Sequence, residues 1–531
     1  MKKLLFTAIA ACATCALMAQ IGASTPNSKL RYAERAISQF YVDTVDEDAL
    51  VESAIRGMLE SLDPHSSYSD PKETAELNEP LEGNFSGIGI TYNMVKDTLY
   101  VIQTVSGGPS EKVGIIPGDR IIAVGDSSIA GRKLSTSQIQ KKLRGPKGTE
   151  INLTVLRGSD TVPFRLIRDD IPIFSVDAAY MADPTTGYIA INKFAAETPN
   201  EFRKAVETLR KKGMKNLILD LCDNGGGYIT AATGLLAELL EPGSLAVYTE
   251  GSKAPRQDYR TNPLGSKPLF GDGRLVVMVN QYSASASEIT SGAVQDWDRG
   301  LVVGRRTFGK GLVQRPIPFP DGSMIRLTIS HYYTPAGRDI QKPYTKGDEE
   351  SYRKDMLNRF EGGELMHADS IHLDSTKLTH TLLYNRAIYG GGGITPDVFV
   401  PLDTTENTKY LRNITAKGIL NQYAVAYVDT HRKQIKKLYK NDDRYVEEFE
   451  VTDEMLSEIR AMADAENIEF NLEEWERSLP LVKLILKGLI GRDIYESQTY
   501  EKVYNRHNPI FLEALRLINS EDYDRMITSH Q

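Results

Sequence analysis

Three serines, Ser283, Ser285 and Ser287, alternate with alanine in "YSASASEI", after the apolar run "LVVMVN" and before a stretch with helical spacing. A serine at a strand-to-helix turn can act as a nucleophile. The first turn of a helix presents free N–H groups to a developing oxyanion, and Ala284 and Ala286 leave room for a substrate backbone. The same residues also make an ordinary helix start, because Ser285 and Glu288 fit the S-x-x-E capping box. A hydroxyl needs a base to attack a carbonyl, and the bases that serve are histidine or a lysine held as the free amine. The chain offers both: Lys310 lies between two glycines in "GRRTFGKGLVQ", 25 residues past Ser285, and His331 lies in "TISHYYTP". Lys310 and Gln314 are four apart, which places their side chains on one face of a strand or a helix.

Competing chemistries are weaker. "GRRTFGK" matches G-x-x-x-x-G-K, but Gly311 stands where a phosphate loop has Ser or Thr, and the prolines of "LVQRPIPFP" block the required helix. His331 reads as a hydrogen-bonded or half-exposed strand residue, with no acidic partner placed by any motif. Cys222 follows "NLILDL" and reads as a small buried hydrophobe at a strand end. No CxxC or HExxH occurs among scattered histidines, so neither a metal nor a cofactor is expected. "DLCDNGGGY" supplies Gly225, Gly226 and Gly227 after a strand, where glycine permits positive φ and close backbone approach.

These groups need elements to position them. Residues 24–82 carry helical spacing, with Asp46 or Asp48 as a cap, and the helix ends before Asp63-Pro64. Residues 83–169 change to short strands broken by glycine, a β-rich module. Residues 170–404 alternate strands and helices, the pattern of a βαβ layer whose functional groups gather at strand ends. Within them, 345–388 reads as a charged, irregular insertion. Residues 405–531 read as a separate helical domain, giving a multi-domain α/β plus β chain.

The 531 residues are 41% hydrophobic and 25% charged, enough for several cores. A net charge of −8 and the lack of basic-aromatic runs argue against a nucleic-acid partner. Lys2 and Lys3 ahead of "LLFTAIAACATCALMA" form a secretory signal, 1–23, with cleavage expected between residues 20 and 24. This implies export, to a bacterial periplasm or cell envelope. An N-terminal membrane anchor is the weaker reading, since the apolar run is short for a span and polar sequence follows it; "IAAC" also resembles a lipobox, so lipid anchoring at Cys12 is a further alternative. Cleavage removes Cys12 and Cys15 and leaves Cys222 alone, which precludes an intramolecular disulfide.

In order, "GMLESLDPHSSY", "FSGIGI", "SEKVGIIPGDRIIAV", "LRGPKGT", "ILDLCDNGGG", "SASASEI", "GRRTFGKGLVQ", "YYTPAGRDIQ" and "GGITPD" resemble the C-terminal processing peptidases, or tail-specific proteases. These are exported serine peptidases with a Ser-Lys dyad. The resemblance implies a ClpP/crotonase-like α/β core with an inserted PDZ domain. It implies Ser285 as nucleophile, Lys310 as general base, Gln314 orienting the lysine, and the amides of Gly226 and Ala286 as oxyanion hole. Gly87, Ile88, Gly89 and Ile90 would receive the carboxylate of a protein or peptide substrate with a free apolar C-terminus. The base must then be neutral lysine, against a reference pKa of about 10.4, which burial can lower. The family commonly has arginine where this chain has Cys222, and the segment before "GGITPD" is longer than in compact members. The helical termini offer surfaces for a homo-oligomer. The competing function is a non-catalytic, carboxylate-binding scaffold built on the PDZ module.

Overall fold

The computed structural model describes residues 25–529, except Lys96, Pro263, Leu264 and Ser266; the expected signal and Cys12 lie outside the described residues. The described chain divides into two compact units.

The first unit comprises the described residues up to Pro71 with Gln314–Thr328 and Tyr344–Tyr352. Its helices Pro26–Phe40 and Glu47–Glu60 start on side-chain caps, Thr25 and Asp46, each of which accepts an otherwise orphaned first-turn amide. Of the two caps expected for the second helix, Asp46 is used. The turn after it closes on buried Asp63, whose carboxylate accepts the amides of His65 and Ser66, both at 2.9 Å. Beyond that turn Ser67–Ser69 pairs antiparallel with Met324–Arg326.

The second unit holds the rest. Between residues 90 and 167 it forms a six-stranded antiparallel sheet, with Ile90–Val95 at one edge. Helix Thr136–Leu143 accompanies it, opened by a Ser135/Gln138 capping box. Ile88, Leu99, Ile121, Ile139 and Val155 fill the core of this module.

A second six-stranded sheet runs in the order Val176–Met181, Thr186–Ile191, Asn216–Asp220, Leu275–Val279, Leu301–Gly304, Val398–Phe399. Its first pair is antiparallel and the others parallel. The parallel strands are apolar on both sides, and strands of that kind must be covered on both faces. On one face lie helices Thr198–Lys211, Ile229–Leu236 and Ala286–Asp296. On the other lie the C-terminal helices Pro509–Ile518 and Asp522–Thr528, which set Phe511, Leu517 and Tyr523 against Ile218, Val276 and Met278.

This changes one expectation. The tail after 404 is not a single separate helical domain: residues 410–503 share a core of their own, but the last two helices belong to the mostly parallel sheet. A second difference concerns 345–388, read as irregular, which contains helix Glu349–Glu361 and the paired strands Leu378–His380 and Ala387–Tyr389. Apolar periodicity is faint there because much of what is buried is ionic, as with Arg359 on Glu364 at 2.8 Å.

Helix Ser497–Tyr504 closes a cavity of about 440 Å³ at the strand ends, where Glu501 faces Asp177, Asp220 and Asp223. Burial, and then these three carboxylates, push the pKa of Glu501 up to about 7. A carboxyl whose folded pKa is raised stabilises the fold fully below its unfolded value and loses that contribution as pH rises through the folded one. Stability should therefore fall between pH 4.5 and 7 by roughly 3 kcal/mol from this group alone. Thermal melts at pH 5 and pH 8 should show the step, and Glu501→Gln should remove it; an unchanged step in that variant would assign it elsewhere.

Candidate active site

Strand Leu275–Val279 is buried at every position and ends in the turn that carries the three serines. The turn separates them by environment. Ser283 and Ser287 are fully buried. The Ser283 hydroxyl donates to Leu221 O at 2.7 Å and accepts the Asn280 amide at 2.9 Å, and Ser287 donates to Asn224 O at 2.9 Å. Both tie the turn to the neighbouring glycine-rich loop. Ser285 is half-buried and adopts φ 56°, ψ −113°. A serine with positive φ costs of order 1–3 kcal/mol and persists only where the surroundings over-determine it.

What determines it is Glu288. The side chain is completely buried at the start of helix Ala286–Asp296. Its Oε2 accepts the amides of Ser285 at 2.8 Å and Lys310 at 2.9 Å. Its Oε1 accepts the Gly309 amide at 2.7 Å and the Thr307 hydroxyl at 2.6 Å. Burial raises the Glu288 pKa, and the Thr307 hydroxyl and the three amides oppose that rise. From the sequence Glu288 is a capping partner only. In the fold it binds the backbone of the serine turn to that of the lysine loop, and its one sequence signal is a carboxylate set among small residues at a buried helix start.

Lys310 is half-buried, between Gly309 at φ 86° and Gly311. The Gly309 carbonyl accepts the Lys342 amide at 2.9 Å, the Gly311 amide donates to Gln341 Oε1 at 2.9 Å, and the Tyr332 hydroxyl donates to Lys310 O. Strand Leu312–Pro318 follows, not the helix a phosphate loop needs. The loop is braced from the segment read as an irregular insertion: the Arg359 guanidinium donates to Arg306 O at 2.7 Å and Thr307 O at 3.1 Å, and Arg306 pairs with Glu364 at 2.6 Å. Arg359 and Glu364 carry no motif and were not legible as part of this site.

Of the three glycines, two are required. A Cβ on Gly226, φ 100°, would lie 2.7 Å from Ser285 Cβ and 2.9 Å from Ala286 N. One on Gly227, φ 151°, would lie 2.1 Å from Phe194 O. Gly225 is exposed, with open space around it. The backbone of Gly226 is thus packed against the serine turn, as an oxyanion-binding loop would be, but its amide is occupied: it donates to Asn224 Oδ1 at 2.8 Å. This corrects the expectation that the Gly226 N–H is an available donor. The Ala286 amide, first of its helix, remains beside the serine.

Gln314 lies in the first unit, where its Nε2 is 3.4 Å from Thr328 Oγ1, whose hydroxyl donates to Asp63 Oδ1 at 2.9 Å. His331 has the acidic partner that no motif placed: Asp339, 3.5 Å away, raises its pKa. The Cys222 thiol is half-buried, and burial followed by Asp220 pushes its pKa well up. Gly87, Ile88, Gly89 and Ile90 line a cavity of about 140 Å³ between the edge strand Ile90–Val95 and helix Thr136–Leu143, floored by Phe85, Tyr92 and Leu143.

Residues 185–351 match peptidase family S41, 86–167 match the PDZ domain, and 16–74 match the N-terminal domain of the activating protease CtpB. The chain belongs to the S41 peptidases, the family of C-terminal processing peptidases. Residues 410–496 of this S41 chain match a further family of unknown function. The S41 chain is 35% identical over 313 residues to a probable CtpA-like serine protease of Staphylococcus epidermidis, covering 59% of this chain and 62% of that protein. It is 35% identical over 322 residues to one of Staphylococcus aureus, covering 60% and 64%. It therefore spans less than two thirds of the length of these relatives. Among solved structures it is similar to the photosystem II D1 C-terminal processing protease, at 30% identity over 58% of this chain and 89% of that one, TM-score 0.34. It is also similar to the PDZ domain of a carboxy-terminal protease from Vibrio cholerae in complex with peptide, at 28% identity over 17% and 97%, TM-score 0.16.

Proposed function

We propose that this S41 chain is a serine endopeptidase in which Ser285 attacks the peptide carbonyl, Lys310 takes the hydroxyl proton, and the Ala286 amide stabilises the oxyanion. The observation that carries this reading is the carboxylate of Glu288, which holds the amides of Ser285 and Lys310 on one oxygen atom while both flanking serines are spent on backbone carbonyls. Attack gives an acyl-enzyme and releases the amine fragment, and water hydrolyses the ester in a second step. On its spacing in the sequence, Gln314 completes the set as the residue that orients the lysine. With the amide of Gly226 bonded to Asn224, a second oxyanion donor requires that loop to turn the Gly226 N–H outward. An intact Ser285, Lys310 and Glu288 arrangement speaks against the non-catalytic scaffold.

The PDZ module is the substrate's point of entry. The edge strand Ile90–Val95 can accept an added strand, its loop 87–90 can take a terminal carboxylate on backbone amides, and the apolar cavity beside it suits the last side chain. Cleavage then depends on the terminus although the scissile bond lies upstream, because remote binding energy can order the reacting centre. Three forms of one unfolded substrate test this: a free apolar C-terminus, its amide, and a charged tail. The free apolar form should be cleaved at least about tenfold faster in kcat/KM, the loss expected when a charged group forfeits its hydrogen bonds. Equal rates for all three would leave a general peptidase without tail recognition.

Export to the cell envelope, by way of the signal in residues 1–23, belongs to the same proposal. So does self-association: helix Pro26–Phe40 buries no residue and exposes Leu30, Ile37 and Phe40, which lie along one stripe of the helix, an apolar face suited to a second copy.

A further inference from the structure

Beside the cavity that loop 87–90 lines, Arg144 is the single charged residue of its wall. It caps the C-terminus of helix Thr136–Leu143, and its guanidinium lies over the Phe85 ring, 4.5 Å from the centroid. A terminal carboxylate received by this loop would come within the reach of that guanidinium, yet the guanidinium already has a carboxylate. Glu79 binds Arg144 Nη1 through both its oxygens, at 2.7 and 2.8 Å. Glu79 sits near the end of helix Pro71–Glu82. That helix end is fastened on its other side to the catalytic layer: Leu81 O accepts the Ala196 amide at 3.1 Å, and Gly83 O accepts the Ile173 amide at 2.8 Å. Two residues before Ala196, the Phe194 amide donates to Gly226 O at 2.9 Å, in the loop packed against Ser285.

We propose that Glu79 is an internal stand-in for the substrate's C-terminal carboxylate: it occupies Arg144 in the unliganded protein, and an arriving C-terminus displaces it, releasing helix Pro71–Glu82 from the PDZ module. The inference rests on the reading that this module takes free C-termini, and it adds which residue the terminus competes with. The exchange is close to balanced because it trades one carboxylate for another on the same guanidinium. Both partners are partly exposed, with side chains 36% and 26% accessible, so the internal pair is weak enough to yield. Its rupture is felt first at the helix that contacts the layer bearing Gly226.

The test uses the full chain with Ser285→Ala, so that nothing is cleaved. Two fluorescein-labelled peptides of about ten residues, ending in valine with a free carboxylate or an amide, are titrated by fluorescence anisotropy. Glu79→Gln should tighten binding of the free-carboxylate peptide about two- to fivefold, the range of a partly exposed ion pair, and leave the amide unchanged. That gain should shrink in high salt. Arg144→Gln should weaken the free-carboxylate peptide about tenfold, again without effect on the amide, and Arg144→Lys should recover part of the loss. If the parent protein binds both peptides equally, tail recognition itself fails and this inference with it. If the parent discriminates but Glu79→Gln binds as the parent does, the competition is overturned while tail recognition stands. Equal weakening of both peptides by Arg144→Gln would also overturn it, since Arg144 would then be shaping the groove only.

Discussion

Ser285→Ala should lower kcat by about 10⁴- to 10⁶-fold, the loss seen when one member of a catalytic unit is removed, with no fall in melting temperature. Lys310→Met should lose as much, and the double variant little more, because residues that act as a unit are not additive. The flanking serines should behave in the opposite way. Ser283 and Ser287 are fully buried and donate to the carbonyls of Leu221 and Asn224, so alanine leaves a buried acceptor unsatisfied at a cost of about 1–3 kcal/mol. Ser283→Ala and Ser287→Ala should therefore melt earlier but cleave at near-normal rate per folded molecule. A folded, inactive Ser287→Ala beside a cleaving Ser285→Ala would reverse the assignment. His331→Ala should stay active, since His331 is paired with Asp339 and has no part in the proposed proton transfer.

Glu288→Gln should be the most damaging substitution outside the reacting groups. Four donors converge on the Glu288 carboxylate, two on each oxygen, and a glutamine must turn its NH₂ towards one of these pairs. Hydrogen bonds to a buried charged group are worth about 1.5–3 kcal/mol each, so a loss of at least about 3 kcal/mol of stability follows. The rate should fall further than stability explains. One oxygen positions the backbones of both Ser285 and Lys310, and a misplacement on the order of 1 Å can cost 10²-fold. Stopped assays on protein kept well below its melting temperature separate the two effects. A folded variant with the parent's kcat would show that the tether does not set the catalytic geometry.

The alternation of strand and helix, the strand-to-helix turn at Ser285 and the β module are legible in the sequence because each rests on local signals: apolar periodicity, turn glycines, caps. What stayed hidden depends on partners distant in the chain. Glu288 reads as half of a capping box because its contacts with Thr307 and Gly309 span about twenty residues. Arg359 looks like one charge among many until Arg306 O and Thr307 O are seen to surround it. The bond from the Gly226 amide to Asn224 is local but rotational, and no pattern of residue types reports which way a glycine amide points. The last two helices read as part of a separate tail because their amphipathic stripe does not name the surface it covers; the both-sides apolar strand "LVVMV" was the available hint that something must.

On the proposed function, the order in which the mostly parallel sheet is assembled sets when the active site can form during synthesis. Strand Leu301–Gly304 is bordered by Val398–Phe399, and the lysine loop between them is held by Thr307 to Ile394, by amide to carbonyl at 3.1 Å and by the returning amide to the hydroxyl at 2.7 Å. The sheet is thus finished, and the loop carrying Lys310 fastened, by residues made about ninety positions after it. At roughly 5–20 residues per second, a nascent chain has its serine turn for on the order of ten seconds before the matching lysine loop can settle. The covering helices at 509–528 arrive later still. On the proposed function, an emerging chain therefore cannot complete its own active site until residues about ninety positions beyond the lysine loop have been made.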